Sequence, residues 1–315
     1  MSNPPLLNVT ALSKVFGSQY AVDNVSFSIK RGEVLGFLGP NGAGKSTTMK
    51  MLSGNLAPHS GEITINGYDL LTQPKQAKAH IGYLPEQPPL YKELTVAEFL
   101  SFCAQINQIP SLKRKAAVSV AIERCGLESV AQRLIGHLSK GFQQRVGIAQ
   151  AIIHSPAVVI LDEPTSGLDP IQIKEIRHLI REIATEHSVI LSTHILPEVQ
   201  TLCDRVQIIN QGKLIFADSL SGLSQYMQAS SLLVTLNAPP TRTQLTTLDG
   251  VTSVETLSPT QFKLHYHPEN NPTELLLELA VHQKWQLMEL TPINHSLEDT
   301  FMNIIQQENS LMEKT

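Results

Sequence analysis

The nine residues from Gly39 to Thr47 constrain the fold more than any other part of the sequence. They read Gly-Pro-Asn-Gly-Ala-Gly-Lys-Ser-Thr, a full match to the phosphate-loop pattern G-x-x-x-x-G-K-[ST]. A strand-like run, 34–38, precedes the motif and a helix-like segment, 48–52, follows it, as the pattern requires. Glycine-rich turns aim backbone N–H groups at phosphates, and a helix N-terminus favours anions, so the motif predicts a nucleoside triphosphate site. We assign nine residues to this site: Gly39, Pro40, Asn41, Gly42, Ala43, Gly44, Lys45, Ser46 and Thr47.

Two side chains of this loop carry its chemistry. The Lys45 ammonium can reach the β- and γ-phosphates, so we expect it to act in catalysis as well as in binding. The Ser46 hydroxyl is an oxygen ligand of the kind that Mg²⁺ accepts. The loop therefore predicts a nucleotide bound together with Mg²⁺.

A second candidate site follows the apolar run 158–161, where Asp162 and Glu163 stand side by side. A buried strand that ends in two acids places both carboxylates at the carboxyl edge of a sheet, beside the phosphates. We expect Asp162 to hold Mg²⁺ through water. We expect Glu163 to act on the attacking water, as its general base or as the group that positions it.

Two further segments bring ligand-capable residues to the ends of predicted elements. Ser139 and Gly141 lie at the start of a predicted helix, where a hydroxyl and free N–H groups form another phosphate-facing surface. One phosphate cannot easily use two such helix termini of one chain, so this surface can serve the nucleotide of a second copy. The strand 189–192 leads to His194, which is placed to contact the γ-phosphate at the same sheet edge.

Strand-like and helix-like segments alternate along the first two thirds of the chain. Short apolar runs bounded by glycine, proline or asparagine predict strands at 6–9, 25–29, 34–38, 63–65, 81–84, 157–161, 189–192 and 206–210. Capping residues predict helices that begin at Thr95, at Ser111 and at Ser139, and a further helix at about 171–187. The alternation predicts an α/β fold, a P-loop NTPase core with a largely parallel sheet and a helical subdomain at about 95–155.

The chain of 315 residues has material for about two domains. The serine- and glutamine-rich stretch 217–231 predicts a linker, so we expect a core domain at 1–221 and a small α+β domain at 222–315. In the second domain, strands are predicted at 232–236, 251–257, 262–267 and 285–290, with helices at 272–283 and from the capping box at Ser296.

Composition excludes several classes of protein. With 24 Lys and Arg against 28 Asp and Glu the net charge is −4, so we expect no nucleic-acid partner. Cys103, Cys125 and Cys203 are too far apart for a sequence-local metal motif, and no apolar run reaches the ~18–20 residues of a membrane span. A GTPase would carry Asn-Lys-x-Asp; the nearest string, Asn66–Asp69, lacks the lysine and predicts a turn.

In their order along the chain, the motifs at Gly39–Thr47, Leu138–Arg145, Leu161–Asp169 and His194 resemble the ATP-binding subunit of ABC transporters. The resemblance covers about residues 6–217. It implies ATP held between two copies in a head-to-tail homodimer, with Ser139 and Gly141 acting in trans and His194 as the γ-phosphate switch. It also implies separately encoded transmembrane permease subunits, and an aromatic side chain stacked on adenine. Phe16 occupies that position, with Tyr20 as a nearby substitute.

The sequence departs from the family pattern at two places. Lys140 and Phe142 stand where the common signature has Gly and Gln, although Ser139 and Gly141 are kept. The family's metal-linked Gln after the strand 81–84 aligns with Glu86, with Gln87 one position later as the alternative ligand.

The segments 84–91, 138–142 and 296–301 further resemble the ATPases of ABC-2-type exporters, including gliding-motility and multidrug subunits. The resemblance therefore implies an ATPase on the cytoplasmic face of the cell membrane, held there by its permease subunits. The rival interpretation is a soluble ABC-type ATPase that acts on ribosomes or DNA rather than in transport.

Overall fold

A computed structural model describes residues 5–226, 231–267 and 270–293. The chain divides into two compact units between Leu220 and Ser221. Among the described residues, no helix combines the length and the apolar character needed to cross a membrane.

The described part of the first unit consists of strands, α-helices and two single 3-10 turns. Its strands are β1 (Leu7–Phe16), β2 (Gln19–Ile29), β3 (Val34–Leu38), β4 (Ser60–Ile65), β5 (Tyr68–Asp69), β6 (Ile81–Leu84), β7 (Val158–Asp162), β8 (Ser188–Thr193), β9 (Arg205–Asn210) and β10 (Lys213–Ser219). Its helices are α1 (Lys45–Leu52), α2 (Pro74–Lys78), α3 (Val96–Ile106), α4 (Ser111–Arg124), α5 (Lys140–Ile152), α6 (Pro170–Ala184) and α7 (Leu196–Leu202), and α8 (Leu220–Tyr226) begins at its end.

The main sheet of this unit has six strands in the order β10-β9-β3-β8-β7-β6. All strand pairs in it are parallel except β9 with β10, which closes one edge. Every residue of β3, β7 and β8 is buried, as expected of central strands that are covered on both faces. The carboxyl ends of β3, β8, β7 and β6 consequently lie next to one another, and the predicted α/β fold is confirmed.

A second sheet, in the order β2-β1-β4-β5, is antiparallel throughout. The sequence analysis did not predict it, because tight turns rather than helices connect its hairpins. At one of these turns Asn66 (φ +49°) and Gly67 (φ +84°) are both left-handed, which is the type I′ geometry of a two-residue hairpin. Leu7 and Ile63 of this sheet share one buried cluster with Phe37 of the main sheet.

The helices α3, α4 and α5 follow one another between β6 and β7. Thr95 caps α3 through a reciprocal capping box with Glu98, and the Ser139 hydroxyl accepts from the Phe142 N–H at the start of α5, both as predicted. Ser111 is instead the first residue of α4, and Pro110 stands at the cap position without a side-chain hydrogen bond. Proline before a helix presets an extended backbone, so α4 begins without a capping side chain.

The predicted linker at 217–231 is wrong over much of its length. β10 reaches Ser219 along its antiparallel partner β9, and α8 follows directly, whereas residues 227–230 lie outside the described part. β10 is an edge strand without a fully buried residue, and its apolar residues 214–217 are consecutive rather than alternating with polar ones, which is why the pattern missed it.

The second unit contains β11 (Ser231–Leu236), α9 (Arg242–Thr246), β12 (Val251–Thr256), β13 (Gln261–Tyr266), α10 (Thr273–His282) and β14 (Leu287–Ile293). Its antiparallel sheet has the order β12-β13-β11-β14, the split β-α-β arrangement of ferredoxin-like domains. Alternate residues Leu232, Val234 and Leu236 enter its core together with Leu264 and Leu276. The helix predicted from Ser296 lies outside the described residues.

Candidate nucleotide-binding site

One cavity of about 410 Å³ lies where four of the parallel strands of the main sheet end. Loops after β3, β6, β7 and β8 all contribute to its wall, because parallel strands deliver their carboxyl ends to one edge of the sheet. The cavity is lined by Ala21, Asn41, Gly42, Gly44, Lys45, Ser46, Thr47, Glu86, Glu163, Ser166 and His194. Four of the predicted segments therefore meet in one place: the phosphate loop and the segments that carry Glu86, Glu163 and His194.

The phosphate loop has the backbone geometry that its glycines predict. Gly42 (φ +81°) and Gly44 (φ +109°) adopt left-handed conformations, and a Cβ on Gly44 would lie 2.4 Å from the Ala21 carbonyl oxygen. The loop leads directly into α1, and the first residues of this helix, Lys45, Ser46 and Thr47, border the cavity. The first N–H groups of a helix have no acceptor within the helix, so they are available to a ligand there. This close, Cβ-free turn fits the backbone cradle that a triphosphate needs.

Lys45 extends across the loop toward Glu163. Its Nζ donates to the carbonyl oxygens of Gly39 (2.8 Å) and Pro40 (3.2 Å), and it lies 3.5 Å from Glu163 Oε1. Both charged side chains are almost fully buried, which strengthens their mutual attraction.

Glu163 is held by contacts from two neighbouring elements. Its backbone is left-handed (φ +50°), an uncommon conformation for a residue with a side chain, and its N–H donates to the Ser192 carbonyl of β8 (3.0 Å). His194 Nδ1 donates to Glu163 Oε2 at 2.8 Å. The carboxylate thus has an ammonium at one oxygen and an imidazole at the other.

The oxygen ligands predicted for Mg²⁺ lie together. The Ser46 hydroxyl donates to Asp162 Oδ1 at 3.2 Å, and Asp162 is buried. Burial raises the pKa of the Asp162 carboxyl, opposed by the Ser46 hydrogen bond, and the negative charges of Glu163 and Glu86 raise it further. A cation at this point would relieve that cost of burying negative charge. Glu86 and Gln87 are both exposed, but of the two only Glu86 borders the cavity.

These donors suit Mg²⁺ rather than an ion held by protein ligands alone. In the described ranges no group of three or more His, Cys, Asp or Glu side chains is arranged as a metal cage. Mg²⁺ in nucleotide sites takes one or two protein oxygens and completes its shell with phosphates and water. Ser46 and Asp162 match that pattern.

Ser139 and Gly141 lie apart from this cavity. They border a separate cavity of about 480 Å³, together with Asp169 and Gln172 at the start of α6. A Cβ on Gly141 would come within 2.5 Å of Gln172 Oε1, so the flexible end of the Gln172 side chain would have to shift. The two predicted phosphate-binding surfaces of one chain are therefore distinct.

Phe16 lies at the end of β1, with 54 % of its side chain exposed and the Lys14 ammonium 5.5 Å from its ring centroid. Neither Phe16 nor Tyr20, itself 55 % exposed, borders the cavity, whereas Ala21 of the same hairpin does. An exposed aromatic face is available for a stacked base. The sequence analysis missed Ala21, since a small apolar residue carries no chemical signal.

Comparison with known proteins agrees with this geometry. The family model described as ABC transporter matches residues 22–166. The chain is 43 % identical over 212 residues to the bacitracin transport ATP-binding protein BcrA of Bacillus licheniformis, a match that covers 67 % of this chain and 68 % of BcrA. It is 33 % identical over 306 residues to the linearmycin resistance ATP-binding protein LnrL of Bacillus subtilis, covering 95 % of this chain and 98 % of LnrL.

A solved structure of CbiO1 from Clostridium perfringens, described as part of the ABC transporter complex CbiONQ, has a similar fold. It matches with a TM-score of 0.65 and 30 % sequence identity over 71 % of this chain and 92 % of CbiO1. The LnrL match extends through both units, whereas the CbiO1 match covers a smaller share of the chain. Sequence, fold and the arrangement of the cavity thus agree, and the chain belongs to the ABC transporter family as an ATP-binding subunit with ATPase activity.

Proposed function

We propose that this subunit powers an ABC-2-type exporter by ATP-driven closure of a head-to-tail homodimer. The observation that carries the proposal is the separation of two anion-binding surfaces within one chain. The phosphate loop lines one cavity, and Ser139 with Gly141 lines another. A second copy can bring its Ser139 and Gly141 to the phosphates held by the first, which would explain why both surfaces exist.

In this proposal the phosphates lie on the loop from Gly39 to Thr47, with Lys45 at the β- and γ-phosphates and Phe16 stacked on adenine. Ser46 and Asp162 hold Mg²⁺, and Glu86 completes the set of oxygen ligands, with Gln87 as the alternative. When bound, Mg²⁺ neutralises charge on the phosphate oxygens.

Glu163 acts on the attacking water, and the contacts of its carboxylate support that role. It accepts a hydrogen bond from the water and orients the water oxygen toward the γ-phosphorus. The water oxygen forms a bond to the γ-phosphorus as the bond from this phosphorus to the bridging oxygen breaks, giving ADP and inorganic phosphate. The proton of the water passes to Glu163 if it is the general base, or to the phosphate being formed if Glu163 only positions the water. His194 donates a hydrogen bond to Glu163 Oε2 and contacts the γ-phosphate. It therefore couples the position of the Glu163 carboxylate to the presence of the γ-phosphate.

Transport requires permease subunits, which are separate chains in this proposal. The name of BcrA refers to transport of bacitracin and that of LnrL to resistance to linearmycin; an exporter would connect these two properties. The subunit would then lie on the cytoplasmic face of the cell membrane, bound to its permease. We propose that residues 1–221 form the ATPase domain and that residues 222–315 form an accessory or regulatory domain.

The variant Glu163→Gln tests dimer closure. It keeps the size of the side chain but removes the carboxylate, so hydrolysis should fall about a hundredfold or more while ATP binding persists. We expect this variant to elute as a dimer with ATP and Mg²⁺ and as a monomer with ADP. The double variant Glu163→Gln with Ser139→Arg is the control, because a bulky cation at the in-trans surface should abolish the ATP-dependent dimer. A monomer under all nucleotide conditions would refute the proposed closure.

The exporter assignment is tested by purification from membranes in mild detergent. We expect the tagged full-length subunit to bring down a polytopic membrane protein in stoichiometric amount. Co-purification of ribosomes or DNA instead would contradict the transport role.

A further inference from the structure

Glu198, in the first turn of α7, is a fully buried carboxylate beside the catalytic pair. It is 0 % exposed and does not border the nucleotide cavity. Its Oε2 accepts a hydrogen bond from the Thr193 hydroxyl at 2.7 Å, and its Oε1 accepts one from the Thr165 hydroxyl. One carboxylate therefore bridges the last residue of β8 and the segment after β7.

The negative charge of Glu198 is compensated within the fold. Arg177 of α6 places its guanidinium 3.6 Å from Glu198 Oε1. A buried charge is tolerated only when it is paired and hydrogen-bonded, and this one has both kinds of partner. Burying a charged carboxylate costs free energy of solvation, so core packing alone does not explain why Glu198 occupies this position.

The two threonines lie next to the residues proposed for hydrolysis. Thr193 directly precedes His194, and its hydroxyl also accepts from the Ile195 N–H at 3.0 Å, so it braces the backbone on both sides of His194. Thr165 lies two residues after Glu163, whose left-handed backbone needs outside support. Through its bonds to Thr193 and Thr165, Glu198 therefore holds the backbone next to His194 and the backbone next to Glu163. The side chains of His194 and Glu163 are in contact at 2.8 Å.

We propose that Glu198 is a positioning residue that sets the His194–Glu163 contact by holding Thr193 and Thr165. This inference rests on the proposed roles of Glu163 and His194 in hydrolysis. It predicts an effect on turnover rather than on nucleotide affinity, since Glu198 lies outside the cavity. A displacement of a catalytic group by about 1 Å can cost up to about a hundredfold in rate.

The test measures steady-state ATP hydrolysis by the full chain. In Glu198→Gln we expect kcat to fall about ten- to a hundredfold with KM for ATP within about twofold of the parent. Thr193→Val should reproduce the loss, and Thr193→Ser should restore at least half of the parent kcat because it keeps the hydroxyl. Thr201→Val is the matched control on α7, since the exposed Thr201 hydroxyl donates only to the Pro197 carbonyl within its own helix.

Three outcomes distinguish a positioning role of Glu198 from a purely structural role and from a failure of the proposed function. If Glu198→Gln and Thr193→Val keep kcat within about twofold of the parent while Glu163→Gln is inactive, the positioning role is refuted and the proposed function stands. If Thr193→Ser is as impaired as Thr193→Val, and kcat, KM and melting temperature change together, Glu198 is only structural and the inference is also refuted. If Glu163→Gln itself hydrolyses ATP normally, the proposed function fails, and this inference fails with it.

Discussion

His194 Nδ1 and Glu163 Oε2 are 2.8 Å apart, although 31 positions separate the two residues along the chain. The contact exists because β7 and β8 are neighbouring parallel strands that end at the same edge of the sheet. Asp162 pairs with Ser192 in that register, so Glu163 and His194 leave the sheet almost side by side. Each residue therefore depends on the other element for its position.

Replacing His194 should impair turnover more than binding. In His194→Ala, Glu163 loses its partner at Oε2, so we expect kcat to fall at least about tenfold with a smaller change in KM. Phosphate release at saturating ATP measures this effect. His178→Ala is the matched control, because His178 is exposed on α6 and pairs with Glu182 four residues later on the same helix. Equal losses in the two variants would contradict the assignment of His194.

Replacing Lys45 should impair binding itself. A hydrogen bond to a charged group contributes about 1.5–3 kcal/mol, so Lys45→Ala should weaken ATP affinity about ten- to a hundredfold. Equilibrium binding of a fluorescent ATP analogue checks this prediction. Lys50→Ala, on the exposed side of the same helix α1, should bind as the parent does. Normal affinity of Lys45→Ala would show that the phosphates do not contact this lysine.

Gly44 should tolerate no side chain. A left-handed backbone costs an L-residue about 1–2 kcal/mol, and here a Cβ would also press against the Ala21 carbonyl oxygen at 2.4 Å. Gly44→Ala should therefore lower the free energy of unfolding by about 3 kcal/mol or more and abolish nucleotide binding. Gly32→Ala separates the backbone strain from the steric clash, since Gly32 is left-handed but has open space around its Cβ position. Urea denaturation should show a loss of only about 1–2 kcal/mol in that control.

The capping box of α3 should contribute both to stability and to its pH dependence. Thr95→Ala should lower the free energy of unfolding by about 1 kcal/mol, while Thr95→Ser should retain most of it. The hydrogen bonds donated by the Thr95 N–H and hydroxyl lower the pKa of Glu98 below its ordinary value of 4.5. The lowered pKa means that this stabilisation is present above pH 4.5 and is lost as the pH falls through the pKa of the folded state.

Denaturation curves of the parent and of Thr95→Ala, measured in steps from pH 7 to acid, check that sign. The difference in free energy of unfolding between the parent and Thr95→Ala should become smaller as the solution becomes acidic. A difference that grows toward low pH would contradict the role of Glu98 as an ionised cap.

The elements predicted best are those with a strong local signal. The bounds of β3 and β6 agree with the predicted runs, because each is a short and mostly buried segment between turn residues. The antiparallel sheet and β10 were missed or cut short, since half-exposed hairpins and edge strands have weak periodicity. Glu198 was missed for a related reason: an isolated acid in a short helix normally indicates a solvated position.

The sequence by itself determined the phosphate loop, the acid pair after β7 and the membership of the family, because these depend on residue types at fixed local spacing. It also predicted that Glu163 and His194 lie at one sheet edge beside the phosphate loop, with Ser139 and Gly141 on a separate surface. Only the tertiary structure decided that Glu163 contacts both Lys45, at 3.5 Å, and His194, at 2.8 Å. It also showed Glu86 rather than Gln87 at the cavity wall. The physical reason is that strand order and backbone geometry come from packing over the whole unit, which no local pattern of residues specifies.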